Sequence, residues 1–176
     1  MRYIWLFIKT LLRLLLKPLS FLPAIIVMYC ILNFSGQSGV DSAALSYKVT
    51  QKLVTIASDV TNRNLTQDEI QVYTEKYHYY VRKLAHFTEY MILAITVAFP
   101  LYVYGMRGIW LMIFAGAFCV GFACLDEYRQ SFSLGRSPSK KDVFIDSCGV
   151  FVSILVTRIV GFIGRKTIFA PLARRR

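Results

Sequence analysis

The sequence predicts an all-α membrane protein built as an antiparallel bundle of four transmembrane helices. Hydrophobic residues make up 56% of the 176 residues, whereas soluble domains average roughly 45–50%. Four apolar stretches approach the roughly 17–25 residues that a helix needs to cross the hydrocarbon layer. They are Leu19–Phe34, Leu84–Tyr104, Gly108–Leu125 and Val143–Ile163. With four spans in a chain of this length, no room is left for a separate soluble catalytic module.

A basic, amphipathic segment precedes the first span. Arg2, Lys9, Arg13 and Lys17 are seven, four and four residues apart, which places them on one helical face opposite Leu and Phe side chains. This pattern is typical of a helix that lies in the membrane interface and binds anionic lipid headgroups. Nucleic-acid binding, the alternative reading of a basic run, is disfavoured beside a membrane span.

Basic residues are distributed unevenly over the two sides of the predicted bundle. Four spans place both termini and the short connection at 105–107 on one side, which carries eleven basic residues and no acidic residue. The other side carries the remaining ten basic residues and all ten acidic residues. The positive-inside rule therefore predicts cytoplasmic termini. The predicted parts are an N-terminal amphipathic interfacial helix (1–18), a membrane domain (19–163) and a basic cytoplasmic tail (164–176).

The long extracytoplasmic loop between the first two spans is also predicted to be helical. Its first half carries apolar residues at helical spacing, which indicates a helix on the outer surface. Thr66 and Glu69 fit a capping box that opens a second helix leading toward Leu84. Tyrosines in this second helix are typical of the aromatic belt at headgroup depth. The apolar residues are Leu45, Val49, Leu53, Ile56, Ala57 and Val60, and the tyrosines are Tyr73, Tyr77, Tyr79 and Tyr80.

Small residues in the last two spans predict where the helices approach each other. Ala117 and Gly121 are four residues apart, as are Gly149 and Ser153, and such spacing permits close packing in membranes. The four cysteines all lie inside the predicted spans. Because their spacings do not suit a metal site, we interpret them as packing residues.

Ionisable residues gather where three of the predicted spans reach the outer face. Positions 82/86/89, 126/130 and 142/146 are three or four residues apart, so that the residues of each set share a helical face. An ionisable residue at the bilayer centre costs about 2.5–3.5 kcal/mol and normally faces the bundle interior or water. We therefore predict one shared polar pocket. Its groups are Arg82, Lys83, His86 and Glu89; Asp126, Glu127 and Gln130; and Arg136, Asp142 and Asp146.

Several of these charges also have a purely structural interpretation. Asp142 follows Ser139 by three residues, as an acidic residue does in the first turn of a helix. His86 taken alone would be a hydrogen-bonded packing residue. Arg129, Lys140 and Lys141 are interpreted as solvated or lipid-facing loop charges.

The polar segments resemble those of the VanZ family. The segments are Arg82–Tyr90 and Asp126–Arg136, followed by Asp142, Asp146 and Gly149, and the resemblance covers roughly residues 22–163. Phe34–Gly39 is similar to the serine- and glutamine-containing segment after that family's first span, which adds Ser35 and Gln37 to the candidate ligand-binding residues. The chain departs from its relatives near Leu134, where they often carry proline, and at Asp146, where they often carry asparagine.

The resemblance implies a bacterial cell-envelope protein of the cytoplasmic membrane, in a family named for its association with resistance to teicoplanin, and it implies no known reaction. One hypothesis is a protein that binds an amphiphilic or lipid-linked ligand, with Arg82, Lys83 and Arg136 pairing with phosphate or carboxylate. The alternative is an intramembrane enzyme acting on a lipid phosphate or cell-wall lipid precursor. There His86 would act as acid or base, with Glu89, Asp126 and Glu127 tuning it or holding a divalent cation. A transporter is disfavoured, because the acids stop near one face.

Overall fold

The described part of the protein consists of α-helices joined by turns and short loops, without strands. A computed structural model describes residues 2–133, 135 and 139–166, without the side chains of 161–166 and of several residues before Leu16. Within these residues the helices are α1 (Arg2–Leu19), α2 (Leu22–Ser35), α3 (Gly39–Val60), α4 (Gln67–Val103), α5 (Gly108–Gln130) and α6 (Lys140–Lys166). Four segments are long and apolar enough to cross a membrane, namely Leu16–Ser35, Gln67–Val103, Gly108–Gln130 and Lys140–Val160. The predicted all-α fold with four spans is confirmed.

The first span combines two helices. α2 has 14 residues and is about 21 Å long at 1.5 Å per residue, which is too short for a hydrocarbon layer of roughly 30 Å. The apolar segment therefore begins at Leu16, inside α1. The predicted helix of residues 1–18 is present as α1, but the side chains of Arg2, Lys9 and Arg13 lie outside the description. So does the tail from residue 167 onward.

Helix α4 begins with the predicted capping box. The Thr66 hydroxyl accepts a hydrogen bond from Glu69 N at 3.4 Å, and Glu69 Oε2 accepts one from Thr66 N at 2.9 Å. The helix then runs without a break for 37 residues, or about 55 Å. It contains no glycine, and Pro100 lies in its last turn. The second predicted loop helix, which leads toward Leu84, and the second span are therefore one continuous element.

The N-terminal half of α4 packs against α3 to form an antiparallel hairpin, whereas its C-terminal half contacts α2, α5 and α6. The core lies around that second half. It contains Tyr90, Leu93, Ala94 and Val97 from α4, Ala115, Cys119 and Ala123 from α5, Val150 from α6, and Ala24 and Ile31 from α2. Helix α4 is thus the centre of the bundle.

The predicted small-residue contacts are confirmed for α6 and wrong for α5. A Cβ atom on Gly149 would stand 2.3 Å from the Phe87 carbonyl oxygen, and Ser153 Oγ donates to the Met91 carbonyl at 2.9 Å. On α5, by contrast, Ala117 and Gly121 are exposed. The face that packs contains Ala115, Cys119 and Ala123, since two residues along a helix correspond to about 200° of rotation.

The cysteines do not share one environment. Cys119 is buried in the core, as predicted for a packing residue, and Cys148 is half-buried. Cys30 and Cys124 are exposed, so the packing interpretation is wrong for these two.

Candidate functional site

The ends of α2 and α5 meet at a buried carboxylate. Ser35, the last residue of α2, donates from Oγ to Asp126 Oδ1 at 2.5 Å. Gln130, one turn further along α5, donates from Nε2 to Asp126 Oδ2 at 2.9 Å. Asp126 is 1% exposed. Each of its carboxylate oxygens therefore accepts a hydrogen bond from a neutral side chain.

Two further contacts join α4 and α5 to the start of α6. Glu127 Oε1 accepts a hydrogen bond at 2.5 Å from the backbone N–H of Ser139, directly before α6, where a carboxylate also interacts favourably with the helix dipole. Lys83 forms an ion pair with Asp142 in the first turn of α6. Both members of this ion pair remain partly exposed, with 18% and 25% of their side chains accessible.

Two buried polar atoms at the centre of the site have no hydrogen-bond partner among the described residues. They are the Tyr90 hydroxyl and Asp146 Oδ1, in side chains that are 0% and 4% exposed. The carboxylates of Glu89, Asp126 and Glu127 lie near enough to disfavour a negative charge on either side chain. A buried polar atom without a partner costs about 1–3 kcal/mol, and in native proteins such an atom commonly marks a functional role or a bound water or ion.

The rim of the site is formed by α4. His86 Nδ1 lies 3.8 Å from Glu89 Oε2, and these side chains are 18% and 33% exposed. Arg82, one turn before His86, is half-buried. Because the positions 82, 86, 89 and 90 lie on one helical face, the rim continues directly into the buried centre at Tyr90.

The structure brings most of the predicted site residues together. We name the assembled residues the polar cluster: Ser35, Arg82, Lys83, His86, Glu89, Tyr90, Asp126, Glu127, Gln130, Asp142 and Asp146. Gln37 is half-buried in the turn after α2, where its backbone N–H binds the Phe34 carbonyl. No hydrogen bond between its side chain and the cluster occurs among the described residues. Arg136 lies outside the described residues.

Sequence reasoning missed three contributions to this end of the bundle. Tyr90 was read only as part of the family segment, although its position four residues after His86 would have placed it on the polar face. The Ser139 contact is made by a backbone N–H group, so the type of residue at this position does not indicate it. Arg129 was predicted to be a solvated loop charge, which is incomplete, because its Nη1 donates to the Leu32 carbonyl at 2.9 Å and so caps the end of α2.

The carboxylates of the cluster do not form a metal-binding set. Within residues 2–133, 135 and 139–166, no group of three or more His, Cys, Asp or Glu side chains has an arrangement that would hold a metal ion. Among the described residues there is therefore no site for the divalent cation that the sequence suggested.

The sequence profile of the VanZ/LLP1 family matches residues 20–161. The chain belongs to the VanZ/LLP1 family. No curated protein and no solved structure is significantly similar to it. The VanZ/LLP1 region contains α2 to α5, most of α6 and every residue of the polar cluster, whereas all of α1 precedes it. Membership supports a multi-pass membrane protein, and its chemistry has to be argued from the site.

Proposed function

We propose that this VanZ-like protein binds an amphiphilic or lipid-linked ligand at the outer face of the bacterial cytoplasmic membrane and thereby contributes to resistance to glycopeptides of the teicoplanin type. The observation that carries the proposal is the polar cluster itself. Its buried centre contains the unpartnered Tyr90 hydroxyl and Asp146 Oδ1, and its rim is partly exposed at Lys83, His86 and Glu89. The link to glycopeptides is supported by the family alone.

The charges of the polar cluster indicate which ligand groups suit it. The cluster contains five carboxylates, on Glu89, Asp126, Glu127, Asp142 and Asp146. Lys83 is already paired with Asp142. The centre therefore favours hydrogen-bond donors such as amines, amides and hydroxyls. A phosphate is better placed at the rim beside Arg82, which has no ion pair among the described residues.

An enzyme acting on a lipid phosphate or cell-wall lipid precursor is the second candidate, because His86 stands beside Glu89. A partly exposed imidazole 3.8 Å from a carboxylate resembles an acid–base group beside the residue that orients it. The two candidates differ in what His86→Gln removes. A general acid or base is needed for turnover but not for affinity, whereas a ligand-binding residue is needed for affinity itself.

Ligand binding by purified variants in lipid nanodiscs tests the proposal. Fluorescently labelled teicoplanin and a labelled polyprenyl diphosphate serve as separate probes, and antibiotic susceptibility is measured in cells that express each variant. We expect Glu89→Gln and Asp126→Asn to weaken binding of at least one probe by about tenfold or more, because each removes a charged hydrogen-bond acceptor. The same variants should lose protection.

Asp59→Asn is the matched control, because Asp59 is an exposed acid near the end of α3, away from the polar cluster. Its binding and protection should equal those of the parent protein. Parent-like affinity and susceptibility in Glu89→Gln and Asp126→Asn would overturn the proposal. Unchanged affinity combined with lost conversion of the polyprenyl diphosphate in His86→Gln would favour the enzyme.

A further inference from the structure

Helices α4 and α6 are in close contact next to the centre of the polar cluster. Gly149 lies against the backbone of Phe87, where an added Cβ would stand 2.3 Å from the carbonyl oxygen. One turn further along both helices, Ser153 Oγ donates to the Met91 carbonyl at 2.9 Å. Because both contacts join residues with the same offset in sequence, α4 and α6 run in the same direction here. The two backbones therefore hold a fixed register.

Tyr90 and Asp146 lie on either side of this contact. Tyr90 follows Phe87 by three residues and Asp146 precedes Gly149 by three, so each shares a helical face with a contact residue. Side chains on a helix tilt toward its N-terminus, which directs the Tyr90 hydroxyl toward the end of α4 that carries the polar cluster. The Tyr90 ring packs against Phe122 with the ring centroids 6.5 Å apart. The hydroxyl is thus held in place by packing.

The polar atoms of these two side chains lack a hydrogen-bond donor. The Tyr90 hydroxyl and Asp146 Oδ1 are buried and have no partner among the described residues, in residues that are 0% and 4% exposed. The side-chain donors of Ser35, Lys83 and Gln130 are each bonded to other carboxylates. A group that occupies this part of the cluster would therefore supply N–H or O–H donors of its own.

The charge of the surroundings distinguishes between the possible donors. The polar cluster contains five carboxylates, whereas its permanent cations among the described residues are Arg82 and Lys83. The carboxylates of Asp126 and Glu127 lie near both unpartnered atoms. A buried charge is costly unless it is paired and hydrogen-bonded. A water, an amide or a hydroxyl supplies donors but leaves the excess of negative charge, whereas a protonated primary amine supplies three donors together with a positive charge.

The type of cation is limited by the same atoms. In the part of the chain that the structure describes, no group of three or more His, Cys, Asp or Glu side chains is arranged to hold a metal ion. A quaternary ammonium has no N–H group and is recognised by the faces of aromatic rings, whereas the atoms that lack a partner here are two oxygens. The partly exposed rim at His86 and Glu89 gives an organic amine a route into the cluster.

We infer that the group of the ligand that enters the polar cluster is a protonated primary amine, which donates hydrogen bonds to Asp146 Oδ1 and to the Tyr90 hydroxyl. The inference rests on the proposed function, because it names the chemistry of the ligand that is bound there. An amphiphile whose polar groups are all neutral or anionic lacks this contact. The amine belongs either to a lipid headgroup or to a water-soluble molecule.

Native mass spectrometry of the full-length protein in detergent micelles tests this inference. Lysophosphatidylethanolamine carries a primary amine, and its N-acetyl derivative carries a neutral amide in the same place. We expect the amine lipid to bind about tenfold or more tightly than the amide lipid. Ethanolamine and N-acetylethanolamine are added as competitors. Displacement of the lipid by ethanolamine alone would support the inference with a water-soluble amine, whereas an amine preference that appears only in the lipid pair would support it with a lipid headgroup.

Two variants test the two contacts separately. Asp146→Asn and Tyr90→Phe should each reduce the ratio of amine to amide affinity about fivefold or more, because each removes an acceptor with little change in shape. Tyr90→Phe removes a hydroxyl that has no partner among the described residues, so its thermal unfolding midpoint should stay close to that of the parent. Asp59→Asn and Tyr80→Phe are the matched controls at exposed positions outside the polar cluster. Both should retain the parent's ratio.

Equal affinity for the amine and amide lipids in the parent, or a parent-like ratio in both Asp146→Asn and Tyr90→Phe, would overturn the inference. The proposed function would still stand after such a result if Glu89→Gln and Asp126→Asn weaken binding of labelled teicoplanin or polyprenyl diphosphate. A clear amine preference, combined with parent-like binding of both labelled probes in Glu89→Gln and Asp126→Asn, would overturn the proposed function alone.

Discussion

Ser35 shows how a single hydroxyl links two helices at the polar cluster. Its Oγ donates to Asp126 Oδ1, at a site that is almost completely buried. Ser35→Ala would remove this hydrogen bond to a buried carboxylate, at a cost of about 1–3 kcal/mol. We therefore expect a lower thermal unfolding midpoint for this variant in detergent.

Ser147→Ala is the matched control for that measurement. Ser147 is also partly buried, but its hydroxyl donates within its own helix to the Val143 carbonyl. Its replacement should change the midpoint far less, since no contact between helices is lost. Equal midpoints for the two variants would show that the contact between Ser35 and Asp126 contributes little to stability.

Gly149 is the position where the backbones of α4 and α6 come closest. An added Cβ would stand 2.3 Å from the Phe87 carbonyl oxygen, so Gly149→Ala must force the helices apart. We expect a destabilisation of about 1–3 kcal/mol, measured by thermal or denaturant unfolding. In Gly121→Ala the new Cβ meets nothing within 4 Å. That variant should be neutral or slightly stabilised, since alanine favours helix by up to about 1 kcal/mol. Comparable losses in both variants would contradict the close approach.

At the scale of elements, the start of α4 depends on local chemistry. The Thr66–Glu69 capping box satisfies N–H groups that the helix leaves unpaired. Thr66→Ala should cost about 0.5–2 kcal/mol, and hydrogen exchange should accelerate at residues 67–70. Thr55→Ala, which removes an exposed hydroxyl bound to the Gln51 carbonyl inside α3, should leave that exchange unchanged. Unaltered exchange in Thr66→Ala would mean that packing against α3 alone holds the first turn.

The length of α4 was only partly predictable. Its capping box and the helical spacing after it were clear from the sequence. The boundary at Leu84 was drawn where hydropathy rises, although nothing between Gln67 and Val103 interrupts a helix before Pro100. Hydropathy reports the medium around a segment rather than the continuity of its backbone.

At the scale of the whole molecule, orientation in the membrane is the prediction with the widest consequences. The basic excess predicts cytoplasmic termini and an outer α3–α4 hairpin. In a variant whose native cysteines are replaced, Thr61→Cys should react with a membrane-impermeant thiol reagent added to intact cells. Met106→Cys, in the turn between α4 and α5, should react only after permeabilisation. The opposite pattern would reverse the orientation and direct the polar cluster to cytosolic ligands.

The amino-acid sequence by itself determined the number of spans, the capping box and the grouping of the polar residues at one end. These features depend on segment length, on spacing of three or four residues, and on the cost of placing a charge in lipid. Most of the polar cluster follows from them, because an antiparallel chain must bring the end of α5 and the start of α6 to the same membrane face.

Only the tertiary structure decided which face of each span packs and which polar atoms stay without a partner. A span that is apolar on every side has no polar face that would show which residues pack against other helices. This is because lipid and protein interior are similarly apolar. For this reason Ala117 and Gly121 were predicted at a contact that Ala115, Cys119 and Ala123 make. The unpartnered atoms of Tyr90 and Asp146 likewise depend on distances between helices, which local sequence spacing does not encode.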